Sequence, residues 1–205
     1  LPDLEGAPLA GPLFHAAAQM HATLPSLLLG GSVALMERFS ASRFFDQAIR
    51  YDATAAALFA APIRMILSQP ERPDHRNNRL RFVTFAQNVT ESQLDEWHRR
   101  FGAPLMQLWG MTETAGLPLM NPADGPRKNM SMGLPVLGYE CRVVDPHGRD
   151  VPPGVAGDLI VRGTPGETLM KGYFRNPEAT RETLRGEWLH SGDRARLDED
   201  GYFYF

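Results

Sequence analysis

The chain has 205 residues, 43% of them hydrophobic, and its 21 basic and 24 acidic residues give a formal net charge of −3. This composition predicts a globular protein with one sizeable core or two modest ones. Because the charges nearly cancel, no overall positive field exists to hold a polyanion, and nucleic acid is not expected as a partner. The lone cysteine, Cys141, excludes an internal disulfide and a cysteine-based metal site, and it favours a cytoplasmic location.

The N-terminal region raises the question of a membrane segment, because no charged residue occurs between Gly6 and Met36. Pro25 and the Gly30-Gly31 pair interrupt this run, which also lacks aromatic and basic flanks. We therefore predict a buried helix here and no integral membrane segment. The chain starts without Met and without a signal-like pattern, so we expect it to be a piece of a longer protein.

From residue 31 onwards, short apolar runs alternate with amphipathic runs, as in an α/β fold with a parallel sheet. The predicted strands are 31–37, 54–60, 80–86 and 103–108, and the predicted helices are 40–52, 62–69 and 90–102. Pro62 is expected where the second helix begins. The third helix has the strongest signals, since Thr90 and Gln93 can form a capping box and Gly102 can end it.

The order strand 80–86, helix, strand 103–108 predicts a βαβ unit with two parallel strands. Both strands then end at the same edge of the sheet. Their exit loops, 86–89 and 109–114, are expected to share one crevice, the usual place for a ligand in an open α/β sheet.

Beyond about Met130 the pattern changes to short strand-like runs separated by Pro and Gly turns, which predicts a small antiparallel, barrel-like β subdomain. The predicted strands are 139–145, 155–163, 168–174, 187–193, 195–200 and 201–205. One helix is predicted over 176–184, with Asn176 as N-cap and Pro177 in its first turn. We thus expect an α/β subdomain over 1–129 and a β-rich subdomain over 130–205.

The stretch LWGMTET, residues 108–114, combines groups that suit a nucleotide. The exposed-looking ring of Trp109 can stack on a base, and Gly110 lets the backbone approach a ligand. The hydroxyl of Thr112 can bond a phosphate oxygen, and the carboxylate of Glu113 can bind a hard cation. The alternative is an ordinary turn after a strand, with Trp109 in the core and Glu113 in solvent.

Four stretches, in this order, resemble the adenylate-forming superfamily, which includes acyl-CoA synthetases, 4-coumarate-CoA ligases, firefly luciferases and peptide-synthetase adenylation domains. They are PLFH (12–15), WGMTET (109–114), GDLIVRGTPGETLMKGYFRNPEAT (157–180) and EWLHSGDRARLDEDGYFYF (187–205). FAQNVTESQ (85–93) stands where the family has its adenine loop. Residues 163–180 and the unusual AQNVTESQ are most similar to carnitine or crotonobetaine CoA ligases.

The resemblance implies a role for each group of the central motif. Trp109 replaces the usual tyrosine that stacks on adenine, Thr112 matches the hydroxyl that bonds the α-phosphate, and Glu113 matches the Mg²⁺ ligand. Asp193 matches the acid that accepts hydrogen bonds from the ribose hydroxyls. The expected nucleotide contacts are Ala86, Gln87, Asn88, Leu108, Trp109, Gly110, Met111, Thr112 and Asp193, with Thr112 and Glu113 as catalytic residues.

The same resemblance implies that three segments line the acyl pocket: the helix after PLFH, the adenine loop, and the segment after the phosphate motif WGMTET (109–114). The expected substrate contacts are His15, Ala17, Asn88, Gly116 and Gly133, with Ala16, Met20, Gln87, Ala115 and Met132 in the walls. Small, flexible and amide-bearing groups of this kind favour a short or medium acid with some polarity. Carnitine-like acids and an unbranched acyl chain are the two alternatives.

The implied activity is that of an ATP-dependent acid-CoA ligase, with ATP, Mg²⁺ and coenzyme A as cofactors and a small carboxylic acid as substrate. An adenylation domain that loads a carrier protein and a stand-alone nucleotide-binding module are the alternatives. The family's phosphate loop precedes PLFH, and its C-terminal domain with the catalytic lysine follows GYFYF. We therefore expect other parts of the same enzyme to complete the site, and the present chain alone to be inactive.

Several of these residues also have a purely structural interpretation. Asp193 could simply close a Ser-Gly-Asp turn, and His15 could be a satisfied buried histidine. Tyr173 and Trp188 are expected to pack the β-rich subdomain. Cys141, in a predicted strand, is expected to be buried and inert.

Overall fold

A computed structural model describes residues 7–9 and 15–205 of the chain. The chain divides into two compact units, Leu1–Gln107 and Leu108–Phe205. The subdomain boundary expected after residue 129 stays a prediction. Among the described residues, no helix combines the length and the apolar character needed to cross a membrane.

The first unit contains a parallel sheet, as predicted. Its strands are β1 (Ala7–Leu9), β2 (Val33–Leu35), β3 (Ala55–Phe59), β4 (Phe82–Ala86) and the start of β5 (Leu105–Trp109). β1 pairs with β2 and β3, β3 pairs with β4, and β4 pairs with β5, all in parallel. The pairing of β4 with β5 confirms the parallel arrangement expected of the βαβ unit. The crevice shared by the two exit loops stays a prediction.

Three helices of this unit lie where the periodicity indicates. They are α2 (Phe44–Arg50), which follows a 3₁₀ turn at Ala41–Arg43, α3 (Ala60–Leu67) and α4 (Glu91–Phe101). The predicted start of α3 at Pro62 is wrong by two residues, since the helix begins at Ala60. Proline is tolerated there because the first four N–H groups of a helix have no intrahelical partner.

The ends of α4 are fixed by local chemistry. The Gln93 N–H donates to Thr90 Oγ1 at 3.2 Å, and the Thr90 N–H donates to Gln93 Oε1 at 3.0 Å, so the predicted capping box is present. Gly102 ends the helix at φ 68°, in the left-handed region that glycine adopts without a Cβ penalty. The helix buries Trp97 and Phe101, and the ring of Phe101 stacks on Phe45 with centroids 3.9 Å apart.

The helix predicted in the uncharged N-terminal run is present, but the prediction that this helix is buried is wrong in part. A π-helix at Ala17–Thr23 runs into the short α1 (Leu24–Leu28). Ala18 and Ala22 are buried, but no residue of α1 is, and Leu28 is 76% exposed. Without charged residues this run has no strongly polar face, so its composition could not indicate which leucines face outward. Residues 12–14 of the PLFH motif lie outside the described residues.

The second unit is built from antiparallel pairs, which confirms the predicted fold class. The end of β5 pairs with β6 (Leu119–Met120), and β6 pairs with β7 (Leu134–Pro135). A second sheet holds β8 (Glu140–Val144), β9 (Gly157–Arg162), β10 (Leu184–Arg185), β11 (Trp188–Leu197) and β12 (Phe203–Tyr204). Helix α5 (Pro177–Thr183) begins after Asn176, whose side chain accepts from the Ala179 N–H at 3.1 Å.

Two strand predictions in this unit are wrong. Residues 168–174 form no strand beyond an isolated bridge at Leu169. At the start of this range the Thr164 carbonyl accepts hydrogen bonds from the N–H groups of residues 167–169 and closes a tight turn. The separate strands expected at 187–193 and 195–200 are one strand, β11, with a register shift between His190 and Arg194. A β-bulge absorbs the extra residues, so the strand continues through the Ser-Gly-Asp sequence instead of turning there.

The capping box of α4 yields a stability prediction. Replacing Thr90 with alanine removes the side-chain acceptor of the Gln93 N–H, and we expect the free energy of unfolding to fall by about 1 kcal/mol. Equilibrium urea unfolding measures the change, with Thr90→Ser as the matched control because it keeps the hydroxyl. A Thr90→Ala protein as stable as the Thr90→Ser protein would contradict the assignment of the cap.

Candidate functional site

The motif at 109–114 leaves β5 and forms a 3₁₀ turn over Thr112–Thr114. Thr114 is fully buried, and its hydroxyl organises the turn. Thr114 Oγ1 donates to the Met111 carbonyl at 2.8 Å and accepts from the Met111 N–H at 3.1 Å. Thr112 is exposed at the start of the turn, so its hydroxyl is accessible to a ligand.

Two glycines allow close contacts at this turn, one within its own backbone and one with a side chain from outside it. A Cβ atom on Gly110 would lie 2.8 Å from the Gly116 carbonyl oxygen, and one on Gly116 would lie 2.5 Å from the Tyr139 hydroxyl. Neither spacing is compatible with a side chain unless neighbouring groups move. Ala115, between them, has φ 52°, an uncommon value for a residue other than glycine.

The ring of Trp109 is only 4% exposed and packs in a core cluster with Leu119 and Met132. The exposed aromatic expected from the sequence is therefore wrong for this unit, because the end of β5 pairs with β6 and carries the ring into the core. The indole Nε1–H donates to Asp193 Oδ2 at 2.9 Å. Stacking on adenine stays a prediction for Trp109.

Asp193 lies in the β-bulge of β11, so the simple Ser-Gly-Asp turn is wrong. Its N–H donates to Ser191 Oγ at 3.0 Å, and the Ser191 hydroxyl donates to the Leu159 carbonyl at 2.7 Å. Gly192 has φ 80°, which the bulge requires. These contacts turn the Asp193 carboxylate towards Trp109, which precedes it by 84 residues. The ribose role stays a prediction.

The carboxylate of Glu113 is held by a residue that the sequence did not assign to the site. Tyr173 Oη donates to Glu113 Oε1 at 2.7 Å, and the Met170 N–H donates to the Glu113 carbonyl at 2.8 Å. Tyr173 was expected only to pack the β-rich subdomain; it is 37% exposed, and its hydroxyl also contacts Glu113. The hydrogen bond to Glu113, followed by partial burial, raises the pKa of Tyr173, because the neutral phenol is the donor.

This arrangement fits a single-carboxylate Mg²⁺ site. Mg²⁺ is commonly bound by one or two carboxylates together with substrate phosphates. A carboxylate has two oxygens that accept, and Tyr173 occupies only Oε1 of Glu113. Within residues 7–9 and 15–205, no group of three or more His, Cys, Asp or Glu side chains could hold a metal ion by itself. The remaining ligands of such a site would come from a phosphate and water.

The expected nucleotide contacts of the adenine loop, residues 86–88, lie at the exit of β4 in the first unit. Gln87 has φ 74°, and its side chain is exposed. Arg64 donates to the Asn88 carbonyl at 3.1 Å, and Gln107 Nε2 donates to Asn88 Oδ1 at 3.3 Å. Asn88 is thus fixed from two sides, whereas Ala86 ends the strand. Their nucleotide roles stay predictions.

The expected acyl-pocket residues are distributed over both units. His15 is exposed, so the buried alternative is wrong; its ring meets Phe59 edge-on at 5.4 Å and its Nδ1 accepts from the Ala17 N–H at 3.2 Å. In the second unit, Gly133 has φ 98°, and a Cβ atom there would lie 2.1 Å from the Met120 carbonyl carbon. Packing alone therefore demands glycine at 133. The substrate roles of these residues stay predictions.

Two further residues behave as structural groups. Cys141 is buried as predicted, and burial raises the pKa of its thiol to about 12, which keeps it protonated and unreactive. The guanidinium groups of Arg142 and Arg162 lie over the ring of Trp188, at 5.1 and 5.4 Å from its centroid.

Sequence reasoning missed Thr114, Tyr139 and Tyr173 as parts of the site. Tyr139 Oη lies 2.7 Å from the Thr114 carbonyl oxygen and 3.1 Å from that of Thr168, and so connects the two loops. For Thr114 a signal existed, since a hydroxyl three residues after Met111 can bond that residue's backbone. For the two tyrosines no local signal existed, because Tyr173 follows Glu113 by 60 residues.

The chain is similar in sequence and in structure to known CoA ligases. The chain is 39% identical over 196 residues to a crotonobetaine/carnitine-CoA ligase of Salmonella heidelberg (strain SL476), a match that covers 95% of this chain and 38% of that protein. A benzoate CoA ligase from Burkholderia xenovorans superposes with a TM-score of 0.89 at 27% identity, over 98% of this chain and 40% of that one. An o-succinylbenzoate coenzyme A synthetase from Bacillus subtilis, solved with ATP and magnesium, superposes with a TM-score of 0.83 at 25% identity, over 100% of this chain and 42% of that one.

The model of one protein family, described as AMP-binding enzyme, matches residues 8–174. This range includes the turn at 109–114, Glu113 and Tyr173. Since the match extends over well over half of the sequence, the chain belongs to the AMP-binding enzyme family.

Proposed function

We propose that the full-length protein is an ATP-dependent, AMP-forming acid-CoA ligase. The chain spans about 38% of the length of the curated relative to which it is 39% identical, and that relative is a CoA ligase. The solved structures that superpose on it include CoA ligases of two further acids. These likenesses favour coenzyme A over a carrier protein as the acceptor, and an enzyme over a stand-alone nucleotide-binding module.

The observation that carries this proposal is the 2.9 Å hydrogen bond from Trp109 Nε1 to Asp193 Oδ2. It joins the strand end that leads into Thr112 and Glu113 to the group proposed to contact ribose, although Trp109 and Asp193 lie 84 residues apart. The ribose and the α-phosphate of one nucleotide are covalently connected, so the residues that contact them must also lie near each other. A carboxylate that accepts from an indole N–H at one oxygen keeps lone pairs for the ribose hydroxyls.

The proposed reaction has two half-reactions. An oxygen of the acid's carboxylate attacks the α-phosphorus of ATP, the bond to the bridging oxygen breaks, and pyrophosphate leaves, which gives an acyl-adenylate. The thiol of coenzyme A then attacks the acyl carbon, loses its proton and displaces AMP. Neither step requires a nucleophilic side chain, which agrees with the protonated, buried state of Cys141.

Within this chain, Thr112 and Glu113 are the proposed catalytic residues. The exposed Thr112 hydroxyl donates to an oxygen of the α-phosphate, where negative charge gathers as the carboxylate attacks. Glu113 provides the carboxylate ligand for Mg²⁺. When bound, this ion supplies positive charge that neutralises the phosphate oxygens. Pre-organisation of both groups depends on the buried Thr114 hydroxyl, which fixes the turn.

For the acid we propose a short betaine-type substrate such as crotonobetaine, carnitine or butyrobetaine. The support is the 39% identity to a crotonobetaine/carnitine-CoA ligase across 95% of the chain. The proposed contacts are His15, Ala17, Asn88, Gly116 and Gly133. We further propose action in the cytoplasm, in keeping with the lone cysteine, and a functional division into subdomains after residue 129.

The ligase proposal predicts acid-dependent exchange between ATP and pyrophosphate in the full-length protein. We expect Glu113→Gln to lower the exchange rate at least about 100-fold. The reason is that a bound metal ion stabilises the negative charge on the phosphate in the transition state by several kcal/mol, and this variant loses the metal's carboxylate ligand. Glu199→Gln, at an exposed glutamate of the same unit, is the matched control and should exchange like the wild type. No exchange across a broad panel of acids would contradict the proposed activity.

The ribose role predicts weaker nucleotide binding when Asp193 is replaced. Asp193→Ala in the full-length protein should weaken ATP binding by about 1.5–3 kcal/mol, since the ribose hydroxyls lose an ionised acceptor. Asp193→Asn keeps an acceptor for the Trp109 N–H and separates the loss of charge from the loss of that hydrogen bond. Isothermal titration calorimetry gives the affinities, and an unchanged ATP affinity in Asp193→Ala would show that the carboxylate serves only the fold.

The betaine proposal predicts discrimination by the charged head group. CoA-thioester formation with butyrobetaine is compared with that of 5,5-dimethylhexanoate, which carries a tert-butyl group in place of the trimethylammonium group. We expect kcat/KM to favour butyrobetaine by about tenfold or more, because cation recognition contributes one to two kcal/mol, on the order of cation–π contacts. Equal or better turnover of the uncharged acid would overturn the betaine proposal and leave the ligase proposal intact.

A further inference from the structure

The loop between β9 and α5, residues 163–176, packs on the turn that carries Glu113. The Met170 N–H donates to the Glu113 carbonyl at 2.8 Å. Tyr139 Oη lies within 3.1 Å of the carbonyl oxygens of both Thr114 and Thr168, and so links the turn to the same loop. The backbone of Glu113 is thereby held from outside the motif.

The side chain of Glu113 is held by the same loop. Tyr173 Oη donates to Glu113 Oε1 at 2.7 Å, a charge-assisted distance for an O–H and a carboxylate. A glutamate side chain otherwise rotates about three bonds, and fixing it costs conformational entropy. If the carboxylate is already oriented by this hydrogen bond, cation binding loses less conformational entropy.

Tyr173 itself is anchored at the start of α5. Its N–H donates to Thr180 Oγ1 at 2.9 Å, and the Thr180 hydroxyl donates to the Asn176 carbonyl at 2.9 Å. Gly172 has φ 151°, and a Cβ atom there would lie 2.9 Å from Thr180 Cγ2, so the backbone passes close to the helix. The phenol therefore approaches Glu113 from a fixed backbone, although 37% of Tyr173 is exposed.

We propose that Tyr173 is a positioning residue for the cation ligand Glu113: its hydroxyl holds Oε1 and directs the remaining lone pairs of the carboxylate towards the cation. The inference rests on the proposed function, because it assigns Glu113 to Mg²⁺. It adds a residue from a segment 60 positions downstream of the phosphate motif. Tyr173 contacts neither the nucleotide nor the acid in this assignment.

The test compares Tyr173→Phe with the wild type in the full-length protein. Calorimetry measures the affinity for α,β-methylene-ATP in saturating Mg²⁺ and in EDTA. We expect Tyr173→Phe to weaken binding in Mg²⁺ by about three- to tenfold and to leave binding in EDTA unchanged. In ATP–pyrophosphate exchange, the Mg²⁺ concentration for half-maximal rate should rise by a similar factor, with an unchanged KM for the acid.

Tyr204→Phe is the matched control, because Tyr204 Oη also donates to a carboxylate, Asp198 Oδ2, at 3.2 Å. It should leave the Mg²⁺ dependence as in the wild type. In a Glu113→Gln background, Tyr173→Phe should have no further effect on binding in Mg²⁺. If Tyr173→Phe fails to fold, Thr180→Val, which removes the acceptor of the Tyr173 N–H, takes its place and should shift the same Mg²⁺-dependent affinity.

Equal losses of affinity in Mg²⁺ and in EDTA would overturn the inference, as would a Tyr173→Phe protein with the Mg²⁺ dependence of the wild type. A wild type without Mg²⁺-dependent nucleotide binding would overturn it too. Failure of the proposed function would give a different result in the exchange assay. The wild type would then lack exchange with every acid, while the calorimetric comparison in Mg²⁺ and EDTA still decides the role of Tyr173.

Discussion

The second unit is connected by one partly buried polar contact, the hydrogen bond between the indole N–H of Trp109 and the carboxylate of Asp193. An indole at 4% exposure has one donor and no water to receive it, so it needs an acceptor within the protein. The bulge in β11 supplies that acceptor, with Gly192 and Ser191 setting its direction. Packing of the Trp109 ring and placement of the Asp193 carboxylate are therefore coupled by one hydrogen bond.

The turn at 112–114 is also fixed by polar contacts between side chains and backbone. Its internal fixation comes from the Thr114 hydroxyl, and its external fixation comes from Tyr139, Met170 and Tyr173. The phosphate role proposed for this turn needs groups that stay in place as charge develops, because reorganisation would consume part of the stabilisation. Polar contacts on a well-packed backbone provide this rigidity without a large metal-ligand cluster in the part of the chain that the structure describes.

Sequence signals were sufficient wherever the determinants of structure are local. The capping box of α4, its glycine end and the strand character of β3 and β4 follow from neighbouring residues, and the structure confirms them. Sequence signals were insufficient where the structure of a segment depends on residues far away in the chain that pack against it. The exposed leucines of α1 and the continuous β11 depend on which surface packs against them, and the amino-acid run alone carries no such information.

The sequence by itself determined the fold class, the parallel order of β4 and β5, and the family, since motif spacing and hydrophobic period are properties of the chain. It also identified Thr112, Glu113 and Asp193 as candidates from their chemistry. Only the tertiary structure decided that Trp109 is buried, that its N–H meets Asp193, and that Tyr173 holds Glu113. The physical reason is separation along the chain: contacts across 60 to 84 residues arise from packing, which no local pattern encodes.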